Sequence, residues 1–199
     1  MADREDHKQN KKYRDILKSA QELFWKHGFK RVTVEEICKA AEISKMTYYK
    51  FFPNKIELAK TVFKNVIDEG IKDFEKIMKS DKPAAEKMKK ILLLKLEGTN
   101  NISQEFINDF YDHSGSELAK FVDENSKRAW EIVAADIRDA QKNGLFRKNL
   151  NPDFFFTLAS KIDYTDKSLL KFFNSPQEMV MEVLNIMMFG ISPVSKENE

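Results

Sequence analysis

The stretch Thr33–Lys55, TVEEICKAAEISKMTYYKFFPNK, limits what this chain can fold into more than any other. Thr33, with Glu36 three residues on, has the form of a capping box, in which a hydroxyl and a carboxylate satisfy the backbone amides that open a helix. Val34, Ile37, Cys38 and Ala41 follow at i, i+3, i+4 and i+7, which is one buried helix face. Glu42 and Ile43 make the turn. Ser44 caps a second helix, Lys45 to Phe52, and Pro53 stops it. Asn54 caps a third helix, with Glu57 placed to complete another capping box. Helices of about two turns cannot bury a core alone, so the run must belong to a larger helical unit.

A helix, a short turn and a second helix form the module whose second helix enters the major groove of DNA. That helix here carries Lys45, Met46, Thr47, Tyr48, Tyr49 and Lys50. An ordinary surface helix would hold more acid, and a core helix more aliphatics. A helical hairpin in an unrelated bundle has the same spacing, so the flanking sequence has to decide.

Charge leans toward DNA. Residues 1–60 carry 14 Lys and Arg against 9 Asp and Glu, a net +5, while residues 61–199 carry 20 against 23, a net −3. The basic excess therefore falls on the segment that would face phosphates. A single cysteine excludes an internal disulfide, and Cys38 lies on the buried face of its helix. His7, His27 and His113 show no metal-ligand spacing, and no cofactor is implied. No GxSxG, HExxH, P-loop or dinucleotide signature is present, which argues against an enzyme. Asp109, Asp112 and His113 are the only tight acid–histidine group, and a surface position explains them. There is no N-terminal apolar run and no stretch of ~18 apolar residues, so the expected location is cytoplasmic, without a membrane partner.

With five Pro and six Gly in 199 residues, and no strand pattern, the chain reads as all-α with about nine helices. Residues 1–10 are a polar arm. A first helix, about 11–27, has Ile16, Leu17, Ala20, Leu23, Phe24 and His27 as its apolar stripe, and Gly28 ends it. His27 reads as a packing residue. Lys8, Lys11, Lys12 and Arg14 near its start suit either phosphate contact or a solvated face.

The run ILKSAQELFWKHGFKRVTVEEICKAAEISKMTYYKFFPNKIELAKTVF resembles the N-terminal DNA-binding domain of TetR-family transcriptional regulators, over roughly residues 12–65. The likeness lies in the Ala–x–x–Leu-Phe helix ending in Gly-Phe, then Thr-Val-Glu-Glu-Ile, Ser-Lys–x–Thr–x–Tyr–x–x–Phe and Pro-Asn-Lys. It implies that Thr33 and Thr47 bond phosphates through their hydroxyls and that Tyr49 meets the backbone. It also implies that Lys55 pairs with a phosphate, and that Lys45 and Tyr48 approach base edges or the adjacent backbone. With Ser44, Met46 and Lys50 these make the candidate DNA-binding set. Met46 stands where the family usually has Gly, and it can pack on a thymine methyl or alter the docking angle.

Beyond this, an apolar stripe from Ile56 to Met78 predicts one helix over about 54–80, which in the resembling family links the DNA-binding and regulatory domains. Further helices are expected near 83–98, 103–111, 116–143, 152–162 and from Ser175. Residues 163–174 read as irregular. The implied domains are 1–55 for DNA and 56–199 for regulation and dimerisation. Phe154-Phe155-Phe156 and Val180–Phe189 are apolar on more than one face, which suits a homodimer through about 152–190, although a monomer core would also use them. Helices between 83 and 143 could enclose a small-molecule effector, with Phe106, Phe110, Tyr111, His113, Phe121 and Trp130 as candidate lining groups and a hydrophobic or flat ligand as the expectation.

The resulting expectation is a homodimeric repressor on a near-palindromic operator in double-stranded DNA, released by that effector. A constitutive or protein-controlled regulator is the alternative, and an all-helical enzyme a more distant one.

Overall fold

The caps legible in the sequence are made in the structure, a computed structural model that describes residues 10–110 and 116–191. Asn10, at the end of the segment read as a polar arm, is a further cap: it accepts from the Lys12 amide at 3.0 Å and opens α1, Lys11–His27. Thr33 Oγ1 accepts from the Glu36 amide at 3.2 Å, and Glu36 Oε2 accepts from the Thr33 amide at 2.8 Å, which closes the capping box on α2, Val34–Ala40. Ser44 accepts from the Thr47 amide at 3.1 Å and opens α3, Lys45–Phe51. Asn54 does the same for Glu57 at 2.9 Å, at the start of α4, Lys55–Met78. Each such cap contributes about 1 kcal/mol.

Six more helices follow: α5 Ala84–Gly98, α6 Gln104–Phe110, α7 Glu117–Lys142, α8 Pro152–Ala159, α9 Lys167–Leu170 and α10 Pro176–Ile191. Among the described residues there are ten helices and no strand. The tenth is α9, a single turn capped by Asp166 within the stretch that reads as irregular.

The helices fall into two compact units. The first comprises Met1–Val66 and Asn101–Asp123, the second Ile67–Asn100 and Glu124–Glu199. The first unit thus extends past the boundary drawn at residue 55 and takes in α6. Its core holds Ile16, Ala20, Phe24, Val32, Ile37, Leu58 and Val62, with Phe106, Ile107 and Val122 from the later segment. Phe106 lies 4.4 Å from the Trp25 ring, centroid to centroid, and the Ser103 amide donates to the Trp25 carbonyl at 2.8 Å. A side chain as enclosed as Phe24 supplies about 3–5 kcal/mol, judged by truncation to Ala.

In the second unit, Ile91, Ala134, Ile137, Leu145, Phe146, Leu150 and Phe156 form the core, with Phe74, Leu92, Trp130 and Leu184 packed against it. The amide of Gln141 donates to the carbonyls of Arg147 at 2.9 Å and Leu150 at 2.8 Å, which pins the loop after α7. That helix ends in a Schellman motif. Leu145 N donates to Ala140 O and Gly144 N to Gln141 O, both at 3.1 Å, while Gly144 adopts φ 73°. Gln177 Nε2 donates to the Leu96 carbonyl at 2.9 Å and ties α10 to α5.

Candidate nucleic-acid interface

The turn between α2 and α3 is another Schellman closure. Ile43 N donates to Cys38 O at 2.9 Å and Glu42 N to Lys39 O at 3.2 Å. Its left-handed position, φ 53°, is held by Glu42 rather than by glycine. The motif fixes the angle at which α3 leaves α2, and the α3 N-cap then determines which α3 residues face out.

Seven residues of α3 divide cleanly. Tyr48 is fully buried, and Phe52, just past the helix end, is nearly so. Phe52 stacks on Tyr13 at 5.2 Å. Lys45, Met46, Tyr49 and Lys50 face outward, with Met46 78% and Tyr49 53% exposed. At spacings of three and four these four side chains share one surface strip. It offers two ammonium groups, a phenol and an apolar thioether. An exposed methionine on a DNA-reading helix has no packing role in the free protein and is available to a thymine methyl.

Several candidate residues are placed differently from what the resemblance implies. Tyr48 does not reach bases. Its hydroxyl is enclosed without a hydrogen-bond partner, and burial pushes its pKa up. The reason is the helix period: α3 needs an inward anchor between its outward positions, and Tyr48 supplies it. Lys55 is not free for a phosphate either. Its ammonium donates to the carbonyls of Phe29 at 2.7 Å, Val32 at 2.6 Å and Lys30 at 3.3 Å, and lies 4.4 Å over the Phe29 ring. Burial there lowers its pKa. Lys55 is therefore a cross-brace from α4 to the loop that enters α2. Thr33 donates to Glu36 Oε2 at 2.9 Å, and Thr47 shares a 3.1 Å hydrogen bond with Ser44, so both hydroxyls have cap roles.

Lys45 makes an ion pair with Glu35 of α2, both side chains exposed. Hydrogen bonding to Lys45 lowers the Glu35 pKa, and the same bond raises that of Lys45. Glu35 is a member of this surface that its sequence context did not mark. Cys38 is buried, and burial raises its thiol pKa. His27 is half-buried and bonds the Arg31 guanidinium through Nδ1 at 2.9 Å.

The loop Gly28–Lys30 is held from the later segment of the same unit. Asp109 Oδ2 accepts from the Lys30 amide at 2.8 Å, and Asp109 Oδ1 lies 3.5 Å from the Lys30 ammonium. A Cβ at Gly28 would stand 2.7 Å from Asp109 Oδ2 and 2.9 Å from Glu105 Cβ, and Gly28 has φ 77°. Glycine is required here twice, by conformation and by space.

The candidate ligand residues that are described fall in both units. Phe106 and Phe121 belong to the first unit, where Phe106 is core against Trp25. Trp130 belongs to the second. Tyr111 and His113 lie outside the described residues, as does the side chain of Phe110. In the second unit, Met78, Lys79, Lys82, Lys87, Asp136 and Asn143 help line a cleft of about 500 Å³. Burial, and then Glu75, raise the Asp136 pKa. Among the described residues no group of three or more His, Cys, Asp or Glu could hold a metal ion, and no helix is long and apolar enough to cross a membrane.

A capped helix-turn-helix with an outward cationic and aromatic strip defines the class: a DNA-binding transcriptional regulator with a helix-turn-helix reading head. Residues 16–62 match the family model of the bacterial regulatory proteins of the tetR family. An uncharacterized HTH-type transcriptional regulator of Bacillus subtilis (strain 168), YhgD, is 22% identical over 134 residues, 66% of this chain and 70% of that protein. The family match is to the DNA-binding segment, and residues 16–62 are those of a tetR-type helix-turn-helix domain. The fold recurs in the fatty acid degradation regulator FadR from Bacillus halodurans, with TM-score 0.66 and 18% identity over 90% of this chain and 95% of that one. It recurs too in FadR from Bacillus subtilis in complex with stearoyl-CoA, with TM-score 0.64 and 20% identity over 90% and 99%.

Proposed function

We propose that the chain is a homodimeric repressor that binds a near-palindromic operator in the cytoplasm and leaves it when a small, largely apolar ligand binds. The observation that carries the DNA-binding part is the outward strip Lys45, Met46, Tyr49 and Lys50 on a helix whose other face is anchored by Tyr48. Thr33, Ser44 and Thr47 stand at the helix starts, where hydroxyls can also meet phosphates. Residues 1–55 serve as the DNA-binding domain, and residues 56–199 as the regulatory and dimerising one.

Dimerisation is supported by apolar side chains that the single chain leaves uncovered. Phe154 and Leu158 of α8 are 66% and 51% exposed and lie one helical turn apart, and Ile186 of α10 is 65% exposed. A second copy covering 152–190 would bury them. Two recognition helices would then read half-sites about 34–36 Å apart, or a multiple of that. Release by a ligand is supported by the shared fold of a regulator solved with stearoyl-CoA. The contact of Asp109 and Phe106 with the loop and helix before α2 offers a path by which a shift of α6 reaches the reading head.

Fluorescence anisotropy on palindromic duplexes drawn from the DNA flanking its own gene tests this reading. Sequence-selective binding at nanomolar to micromolar protein, and a dimer in sedimentation, are expected. No selectivity at low salt would sink the operator reading, and a monomer that binds as tightly would sink the dimer.

A further inference from the structure

The cleft of about 500 Å³ in the second unit lies where two helices stop. One wall is the end of α4 and the start of α5, and the other is the last turns of α7. On α7, Asp136, Ala140 and Asn143 follow at i, i+4 and i+7, one stripe along the cleft. Met78 on one side and Ala140 and Leu145 on the other make part of the lining apolar. A space of this size fits a small organic molecule.

The charges on these walls are not equally provided for. Lys79 bonds Glu75 at 3.0 Å, Lys82 lies 3.5 Å from Glu86, and Lys87 donates to the Met78 carbonyl at 2.8 Å. Asp139 takes the Lys142 ammonium at 2.6 Å. Asp136 is the exception. It is half-buried, and its Oδ2 is enclosed with no hydrogen-bond partner among the described residues. A carboxylate left so costs stability, and leucine would hold that place on α7 without a bare charge. Packing therefore does not account for it. The helix ends add to the same sign. α4 stops at Met78 and α7 at Lys142, and each C-terminus presents the negative end of its dipole. An anion entering here would have to draw a lysine from the acceptor it already has. A cation would meet an acceptor that still lacks a donor.

We propose that this cleft binds a small organic cation, an ammonium or amidinium group on a short aliphatic body, with Asp136 as its countercharge. The donors of such a head have three acceptors within the lining. They are the Asp136 carboxylate, the Asn143 side chain and Ser80 Oγ, whose own proton goes to the Ile77 carbonyl at 2.7 Å. The aliphatic body lies along Met78, Ala140 and Leu145. A bare metal ion is a poorer occupant, because among the described residues no three His, Cys, Asp or Glu stand together. The site is separate from that of the apolar effector proposed above, and its occupation is not required to release DNA.

The test titrates the full-length chain, without DNA, with hexylammonium chloride, 1-hexanol and sodium hexanoate, read by calorimetry at one fixed ionic strength. Hexylammonium is expected to bind on the order of tenfold tighter than either of the others. Asp136→Asn is expected to reduce that preference to about twofold or less. Asp139→Asn, which loses only the pair with Lys142, is expected to leave it in place. Asn143→Trp, at an exposed position on the same stripe, narrows the cleft and keeps the carboxylate. It is expected to weaken hexylammonium about fivefold or more, which keeps the test alive if Asp136→Asn does not fold. Equal affinity for the three probes, a preference for hexanoate, a preference unchanged in Asp136→Asn or Asn143→Trp, or no binding of hexylammonium at millimolar concentration overturns the site. Because no DNA is present, the outcome does not depend on the operator or on release from it.

Discussion

Lys55 and Lys95 show how differently two regions of this molecule treat the same group. Burial holds the Lys55 ammonium below the ordinary lysine pKa, whereas Lys95 is an exposed residue. In the reading head, the donors of Lys55 meet backbone carbonyls of residues 29, 30 and 32. In the second unit, Lys95 faces an indole ring. The first environment is complete in the free protein. In the second, an exposed residue lays its aliphatic stem and cation along an aromatic face. A lysine therefore says little until its acceptors are counted.

The largest effect should come from Lys55→Met. It strips the 29–32 carbonyls of their donor, at about 1–3 kcal/mol for each buried group left unmatched. A loss of about 3 kcal/mol is expected in urea denaturation. A loss under about 1 kcal/mol would erase the contrast with Lys95. Lys95→Met should leave stability within about 0.5 kcal/mol in the same experiment, since that residue is exposed.

Glu42→Gly should add about 0.5–1 kcal/mol by relieving the left-handed strain in the turn between α2 and α3. Operator affinity should stay level, which anisotropy would check. The smallest effect belongs to Tyr48→Phe. It removes a hydroxyl that has no partner, so stability should rise by up to about 0.5 kcal/mol with DNA affinity unchanged. A marked loss of affinity would return Tyr48 to the interface.

Local signals carried most of the fold. The capping residues Thr33, Ser44 and Asn54 each accept the bond that their position implies. Helix starts were legible because one side chain within three residues decides them. The one-turn helix α9 was not, since four residues carry no periodicity. At the DNA-facing surface, residue types gave the α3 helix but not its rotation. Lys45, Met46 and Tyr49 face out and Tyr48 in, and a string of polar and aromatic residues cannot announce that division. Lys55 was misplaced for a related reason. Its carbonyl partners lie 23 to 26 residues away, and no local pattern records such a bond.

The Glu35–Lys45 pair bears on how the protein searches DNA. A cation already matched by a carboxylate displaces fewer counterions when it meets a phosphate, and the carboxylate itself is repelled by the duplex. On the function proposed above, weak, sequence-blind association would thus be held down. Where bases fitted α3, Lys45 would exchange its partner for one on the operator, and residence would be prolonged there rather than everywhere.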